Sequence, residues 1–121
     1  MFAALLYARG AVSWANFGLW QLRTALEEDG EFVELRVHVA AEWIDWAGHR
    51  LYGLCKETVE LDEALARALA PGKLFKGKAG FTKERWTFWK SQFNQVARTH
   101  GNMSVIARGA VTRMDSVDLH L

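Results

Sequence analysis

The chain has 121 residues, and its 15 basic and 14 acidic side chains give a formal net charge of +1, which argues against a general polyanion binder but permits local charged patches. Half of the residues are hydrophobic and six are tryptophan, so a single domain over residues 1–121 can bury roughly two-thirds of the surface that its unfolded chain exposes. Cys55 is the only cysteine, which excludes an intrachain disulfide and favours a reducing, intracellular setting in the cytoplasm or nucleus.

The first two predicted elements are helices. Residues 2–9 form an apolar helical segment that can end at Gly10, because glycine favours the left-handed C-terminal cap. Ser13 is the predicted N-cap of a second helix that runs to about Glu28 and stops at Gly30. The apolar start has no basic residue ahead of it, so a secretory signal is not expected, and its lack of acids leaves a mitochondrial presequence open.

The longest helix is predicted over residues 31–55, where no strong helix breaker occurs. Its larger apolar residues follow helical spacing, which predicts the buried face: Leu35, Val39, Trp43, Trp46, Ala47 and Leu54. A weaker helix with acids at its start follows from about residue 60 to 70, and Pro71-Gly72 ends it.

Two further helices complete the chain. Thr82 is the predicted N-cap of the first, whose core face is Trp86, Trp89, Phe93, Val96 and Ala97. The second follows a break at residues 99–102 and repeats the same spacing at Met103, Ile106, Ala107, Ala110, Met114 and Val117. No sustained β-alternation and no apolar run of transmembrane length occur, so the sequence predicts an all-α bundle of five or six helices, with no sheet and no membrane span.

Residues 72–79 nearly match the phosphate-binding loop motif G-x-x-x-x-G-K-[ST]. Every position fits except the last, where Ala79 stands in place of the hydroxyl that binds Mg²⁺. A working phosphate loop also follows a strand and leads directly into a helix. Here a predicted helix precedes the loop, and the next predicted helix does not begin until Thr82. The segment is therefore expected to be a connecting loop that Leu74, Phe75 and Phe81 hold against the bundle.

The same loop and the helix after it are rich in basic residues. Six of them form a candidate contact surface for nucleic acid or an acidic partner: Lys73, Lys76, Lys78, Lys83, Lys90 and Arg98. A solvated helix face is the alternative explanation. Acidic residues between Glu27 and Glu34 weaken the field of this surface if the fold brings them to face it.

A second constellation lies on the long helix, where His38, Glu42, Asp45 and His49 are spaced by 4, 3 and 4 residues. This spacing places two imidazoles and two carboxylates, the ligand types of zinc and di-metal sites, along one stripe. The stripe spans roughly 16 Å, so at most two neighbouring side chains reach one ion, and other helices would have to supply the remaining ligands. The exposed face of an amphipathic helix is the simpler interpretation, and no cofactor is implied.

No catalytic motif is evident, so enzymatic activity stays open. The tryptophans form three pairs, at positions 14 and 20, 43 and 46, and 86 and 89. Core packing explains them, and an aromatic-lined ligand pocket is the alternative. Arg85 projects close to the tryptophan face and is expected to cap a buried carbonyl or a carboxylate such as Asp45. Cys55 has no supporting nucleophile signature and is expected to be an inert, buried thiol.

Three blocks of this sequence resemble a family of small fungal proteins of unknown function. They are Arg9-Gly10, then Trp43-Ile44 with Ala47-Gly48, and then Gly80-Phe81 with Arg85-Trp86 and Trp89. The resemblance covers most of the chain and implies an all-helical fold, an intracellular fungal setting and a first helix that is truncated at its N-terminus. It implies no catalytic or binding residues.

Three functional hypotheses follow. The first is a protein-interaction module, with self-association through the first helix, where Phe2, Leu5 and Leu6 form an apolar strip. The second is a nucleic-acid-binding protein that uses the basic surface. The third is a small-ligand or metal-dependent enzyme with a tryptophan-lined pocket.

Overall fold

A computed structural model describes residues 13–57 and 60–120. Within these ranges the chain contains five α-helices, a 3₁₀ turn and no strand: α1 (Ser13–Leu26), α2 (Glu34–Lys56), α3 (Glu63–Ala68), α4 (Lys83–Thr99), the turn Gly101–Met103 and α5 (Ser104–His120). The predicted all-α class is therefore confirmed. The helix predicted over residues 2–9 lies outside the described residues. No described helix is long and apolar enough to cross a membrane.

Helix α2 is the central element of the packing. It contacts α1, α4 and α5, while α4 also packs along α5 and touches α1. The α2–α5 pair runs in the same direction, because Ala41 and Ile106 line one groove whereas Gly48 comes close to Val117 further along both helices. Helices α4 and α5 are joined by a short turn and are antiparallel, because Trp86 near the start of α4 donates to Asp118 near the end of α5.

The start and the core face of α4 agree with the sequence-based prediction. Thr82 caps the helix, since its side chain accepts a hydrogen bond from the backbone N–H of Arg85 at 3.0 Å. The predicted face is buried at Trp86, Trp89, Phe93 and Val96. Helix α5 likewise buries Ala107, Ala110, Met114 and Val117 of its predicted face, and Met103 is buried in the turn before it.

The predicted face of α2 is only partly correct: Ala47 is buried and Trp43 and Leu54 pack against the core, but the centre of the buried face lies elsewhere. Trp46 and Leu35 are 80% and 73% exposed, and the buried residues are Val37, Ala40, Ala41, Ile44, Ala47, Gly48, Leu51 and Cys55. This face is rotated by about 100° from the predicted one, which is one residue around the helix. Small side chains occupy it because α1 and α5 both approach α2 there, so the large side chains that dominated the sequence pattern lie at the edges.

Two other helices are shorter than predicted. Helix α1 ends at Leu26 instead of Glu28, because the side chain of Glu27 turns into the core and its carbonyl oxygen accepts from the backbone N–H of Leu74 at 2.7 Å. Helix α3 covers Glu63–Ala68 and begins after Asp62, whose side chain accepts from the N–H of Leu65. Gly30 has a φ of 100°, as a left-handed stop residue requires.

Candidate functional site

An ion pair between Glu27 and Arg85 is the centre of a buried polar cluster. Both side chains are completely buried. The Nε and Nη2 groups of Arg85 donate to the two carboxylate oxygens of Glu27 at 2.7 and 2.9 Å, the bidentate geometry that suits a guanidinium and a carboxylate. The same carboxylate accepts from the backbone N–H of Gly72 at 2.8 Å and from the indole N–H of Trp89 at 2.6 Å.

The remaining donors of Arg85 hold the segment between α3 and α4. Its Nη1 group donates to the carbonyl oxygens of Leu69 and Gly80, and its Nη2 group donates to that of Ala70. Since a guanidinium has five N–H donors and five are used, Arg85 is fully engaged within the protein. The expectation that it caps buried carbonyls is correct, but the proposed carboxylate, Asp45, is wrong. Asp45 is exposed, and Glu27 is the partner.

Glycines of the phosphate-loop-like segment have packing roles. At Gly72 a Cβ atom would lie 2.7 Å from the carbonyl oxygen of Glu27, so only glycine lets the backbone reach the Glu27 carboxylate. Gly80 has a φ of 88°, and a Cβ atom there would lie 3.0 Å from Leu61. Its N–H donates to the carbonyl oxygen of Leu69 at 3.0 Å. The glycine content of the loop is therefore explained by its attachment to α1 and α3.

A cavity of about 710 Å³, here called the loop cavity, lies between this loop, α3 and the end of α2. Its large apolar lining residues are Leu54, Leu61, Leu65, Leu69 and Phe81. Its charged lining residues are Lys56, Glu57, Lys78, Lys83 and Glu84. Among the described lining residues there is no tryptophan, so the structure does not place the tryptophan pairs around this cavity.

The six basic residues of the predicted contact surface have different environments. Lys90 forms ion pairs with Asp115, at 2.9 Å, and with Asp118, and only 21% of its side chain is exposed. The Nζ atom of Lys73 lies 3.9 Å from the Oδ2 atom of Asp29, so the acidic segment that follows α1 does come close to the loop. Lys78 and Lys83 line the loop cavity, while Lys76 and Arg98 are exposed.

The predicted stripe of α2 lies beside a second, shallower depression, here called the α2–α5 groove. His38, Glu42 and Asp45 line it from α2, and Val105, Ile106, Gly109 and Ala110 line it from α5. His49 is exposed further along α2. In the described part of the chain no three His, Cys, Asp or Glu side chains are grouped as metal ligands, so the structure gathers three of the four stripe residues around a groove and not around an ion position.

Cys55 is buried, and this burial raises the pKa of its thiol from 9.0 to about 12, against the opposing effect of the Arg85 charge. At neutral pH the group is therefore a thiol and not a thiolate, which is the nucleophilic form. The expectation of a buried thiol is confirmed.

The tryptophan pairs separate into different roles. Trp86 and Trp89 lie in the core and donate to Asp118 and Glu27, and Trp20 donates to the carbonyl oxygen of Ala68. Trp46, by contrast, is 80% exposed. The strip of Phe2, Leu5 and Leu6 proposed for self-association and the side chain of Trp14 lie outside the described residues.

Sequence reasoning missed Glu27 as a structural residue. One signal was present: Glu27 belongs to a run of three acids at the C-terminal end of a helix, where the helix dipole disfavours negative charge. A carboxylate at such a position indicates that a specific hydrogen-bonding or charged partner stabilises it, although the sequence does not say which residue that partner is.

Comparison with known proteins gives one match. A family model described as "Protein of unknown function (DUF3632)" matches residues 1–93, which include α1 to α3 and the first part of α4. No curated protein and no solved structure matches the chain.

Proposed function

Because the chain belongs to the DUF3632 family of proteins of unknown function, we propose a function from its surface: it is a protein-interaction module that binds a basic amphipathic helix in the α2–α5 groove. The observation that carries this proposal is Gly109, a glycine inside α5 that lines the groove. A Cβ atom added there meets no atom of the described residues within 4 Å. Packing against the described part of the chain does not explain this glycine, which costs about 1 kcal/mol relative to alanine in a helix.

The shape of the groove supports a helical occupant. Its lining includes the small residues Ala41, Gly109 and Ala110, and small residues allow a third helix to approach a helix pair closely. Val105 lines one end of the groove and is 76% exposed. Leu35, 73% exposed, lies one turn before His38 on α2. These two side chains offer apolar contacts of the kind that helix-in-groove recognition uses.

The charge of the groove supports a basic occupant. Glu42 and Asp45 line it, and none of its described lining residues is Lys or Arg. Carboxylates beside an apolar groove favour lysine or arginine at the flanks of the bound helix and disfavour acidic partners. The basic surface of the loop and α4 gives weaker support for nucleic acid, because Lys90 and Lys73 already lie beside acidic side chains.

Two separate observations support an intracellular location and a fungal source. Cys55, the single cysteine of the sequence, is buried and lacks a second cysteine with which to form an intrachain disulfide, which supports an intracellular protein. The resemblance of the Gly80-Phe81 to Trp89 block supports a fungal source.

The proposal is tested with two synthetic helical peptides that share a leucine and alanine face and carry either lysine or glutamate on the flanks. Fluorescence anisotropy of the labelled peptides with the full chain gives both affinities. We expect the lysine peptide to bind at least about tenfold more tightly than the glutamate peptide.

Two substitutions locate the binding surface. Gly109→Leu fills the groove and should weaken binding of the lysine peptide at least about tenfold. Gly53→Leu is the matched control, because Gly53 is also a helical glycine with no atom of the described residues within 4 Å of an added Cβ but does not line the groove. Equal binding of the two peptides, or equal loss in both variants, would refute the proposal.

A further inference from the structure

We propose that the loop cavity is a separate binding site for a single-chain amphipathic carboxylate of the fatty-acid class. Its volume of about 710 Å³ falls within the range of about 300–1,000 Å³ that is typical of small-molecule sites. Nothing in this proposal depends on the α2–α5 groove, which lies on different residues.

Apolar side chains in the cavity wall can contact the alkyl chain of the ligand. Leu54, Leu61, Leu65 and Phe81 are each only partly buried by the protein and all line the cavity. They come from α2, the segment before α3, α3 itself and the loop. An alkyl chain placed among them would remove further apolar surface from water, at roughly 25 cal/mol per Å².

Lysine side chains at the cavity can bind the carboxylate of the ligand. The side chains of Lys78 and Lys83 are exposed at the cavity, and neither forms an ion pair with a described carboxylate. Lys83 is also the first residue of α4, where the helix dipole favours an anion. Among the described lining residues three are lysine and two are glutamate, which gives a net charge of one positive unit and therefore favours a monoanion over a polyanion.

The cavity is also preformed. Arg85 donates to the carbonyl oxygens of Leu69 and Gly80, and both of these residues belong to the cavity wall. A further hydrogen bond joins Gly80 to Leu69. The buried Glu27–Arg85 pair thus fixes the wall before any ligand arrives, which reduces the ordering cost of binding.

The test uses dodecanoate as the probe, below its micelle concentration, with isothermal titration calorimetry on the full chain. Dodecyltrimethylammonium, which has the same alkyl chain and the opposite charge, is the control ligand. We expect one dodecanoate to bind per chain and the cation to bind at least about tenfold more weakly. Absence of dodecanoate binding, or equal binding of both amphiphiles, would overturn the inference.

Variants locate the probe. The double substitution Lys78→Glu with Lys83→Glu should weaken dodecanoate binding at least about tenfold, whereas Lys76→Glu, an exposed lysine of the same loop that does not line the cavity, should leave it unchanged. Because all three side chains are exposed, the variants should fold normally. If dodecanoate binds the double variant as tightly as the unmodified chain, the cavity is not its site. Lysine-peptide binding by the double variant shows separately whether the proposed groove function holds.

Discussion

Glu27 and Arg85 are 58 residues apart in the sequence, yet they form a bidentate ion pair at 2.7 and 2.9 Å with both side chains inaccessible to solvent. The pair joins the end of α1 to the first turn of α4 and, through the other donors of Arg85, to the loop between α3 and α4. Three segments of the chain therefore depend on one pair of charges.

We expect Glu27→Gln to lower the free energy of unfolding by about 3–5 kcal/mol, because removing one partner of a buried pair leaves the other charge uncompensated. Urea denaturation followed by circular dichroism measures this change. The matched control is Glu63→Gln in the exposed pair of Glu63 with Arg67, for which we expect a change of about 0.5 kcal/mol or less. Similar losses in the two variants would contradict the structural role given to Glu27.

Gly80→Ala should lower the free energy of unfolding by about 1–2 kcal/mol, since alanine disfavours a positive φ, and the close contact with Leu61 adds to this cost. Gly53→Ala should have the opposite effect and stabilise the protein by about 0.5–1 kcal/mol, because Gly53 lies inside a helix and no atom of the described residues lies within 4 Å of an added Cβ. Thermal or urea unfolding of both variants shows whether each substitution raises or lowers the free energy of unfolding. A stable Gly80→Ala variant would argue against the conformation of the loop.

The thiol of Cys55 should not react with a thiol reagent such as 5,5′-dithiobis(2-nitrobenzoate) at mildly alkaline pH. Burial raises its pKa to about 12, which limits the thiolate fraction, and although Cys55 lines the loop cavity, only 5% of the residue is exposed, which limits the approach of the reagent. Reaction should begin only as urea unfolds the protein, with the same midpoint as the loss of helicity. Rapid labelling of the folded protein would show that this end of α2 is open.

Lys90 gives a prediction for alkaline pH. Burial opposes its charge, but hydrogen bonds and attraction from Asp118 and Asp115 outweigh this effect and raise the pKa of Lys90 above its usual 10.5. A folded-state pKa above the unfolded value means that the stabilisation is complete below pH 10.5 and is lost as pH rises through the folded value.

The melting-temperature difference between the unmodified chain and Lys90→Met should therefore be constant near neutral pH and should shrink above pH 10.5. Lys90→Arg is the control, because arginine keeps its charge in this range. A difference that does not change with pH would show that the lysine acts through packing alone.

The two tryptophans Trp46 and Trp89 should differ strongly in their effect on stability. Trp89→Ala should cost about 3–5 kcal/mol, because the indole is fully buried and its loss leaves a cavity. Trp46→Ala should change the free energy of unfolding by about 0.5 kcal/mol or less, as expected for an exposed side chain. Equal effects would favour the face of α2 that the sequence pattern predicted.

Local signals predicted the features that depend on neighbouring residues. Thr82 was identified as an N-cap because its hydroxyl needs only the N–H of a residue three positions away. The α4 face was identified because its apolar residues repeat at helical spacing and its neighbours cover that same side. The loop at residues 72–79 was correctly expected to follow a helix, from Pro71 and the helical pattern before it.

The amino-acid sequence by itself determined the all-α class, the Thr82 cap and the approximate positions of the described helices, because these depend on hydrogen bonds and spacings within a few residues. Only the tertiary structure decided which face of α2 is buried, since that depends on where α1 and α5 approach it. It also decided that Arg85 pairs with Glu27, that Gly72 and Gly80 fit against α1 and α3, and that a groove and a cavity form between elements. These contacts join residues tens of positions apart, and the packing that brings them together leaves no periodic pattern along the chain.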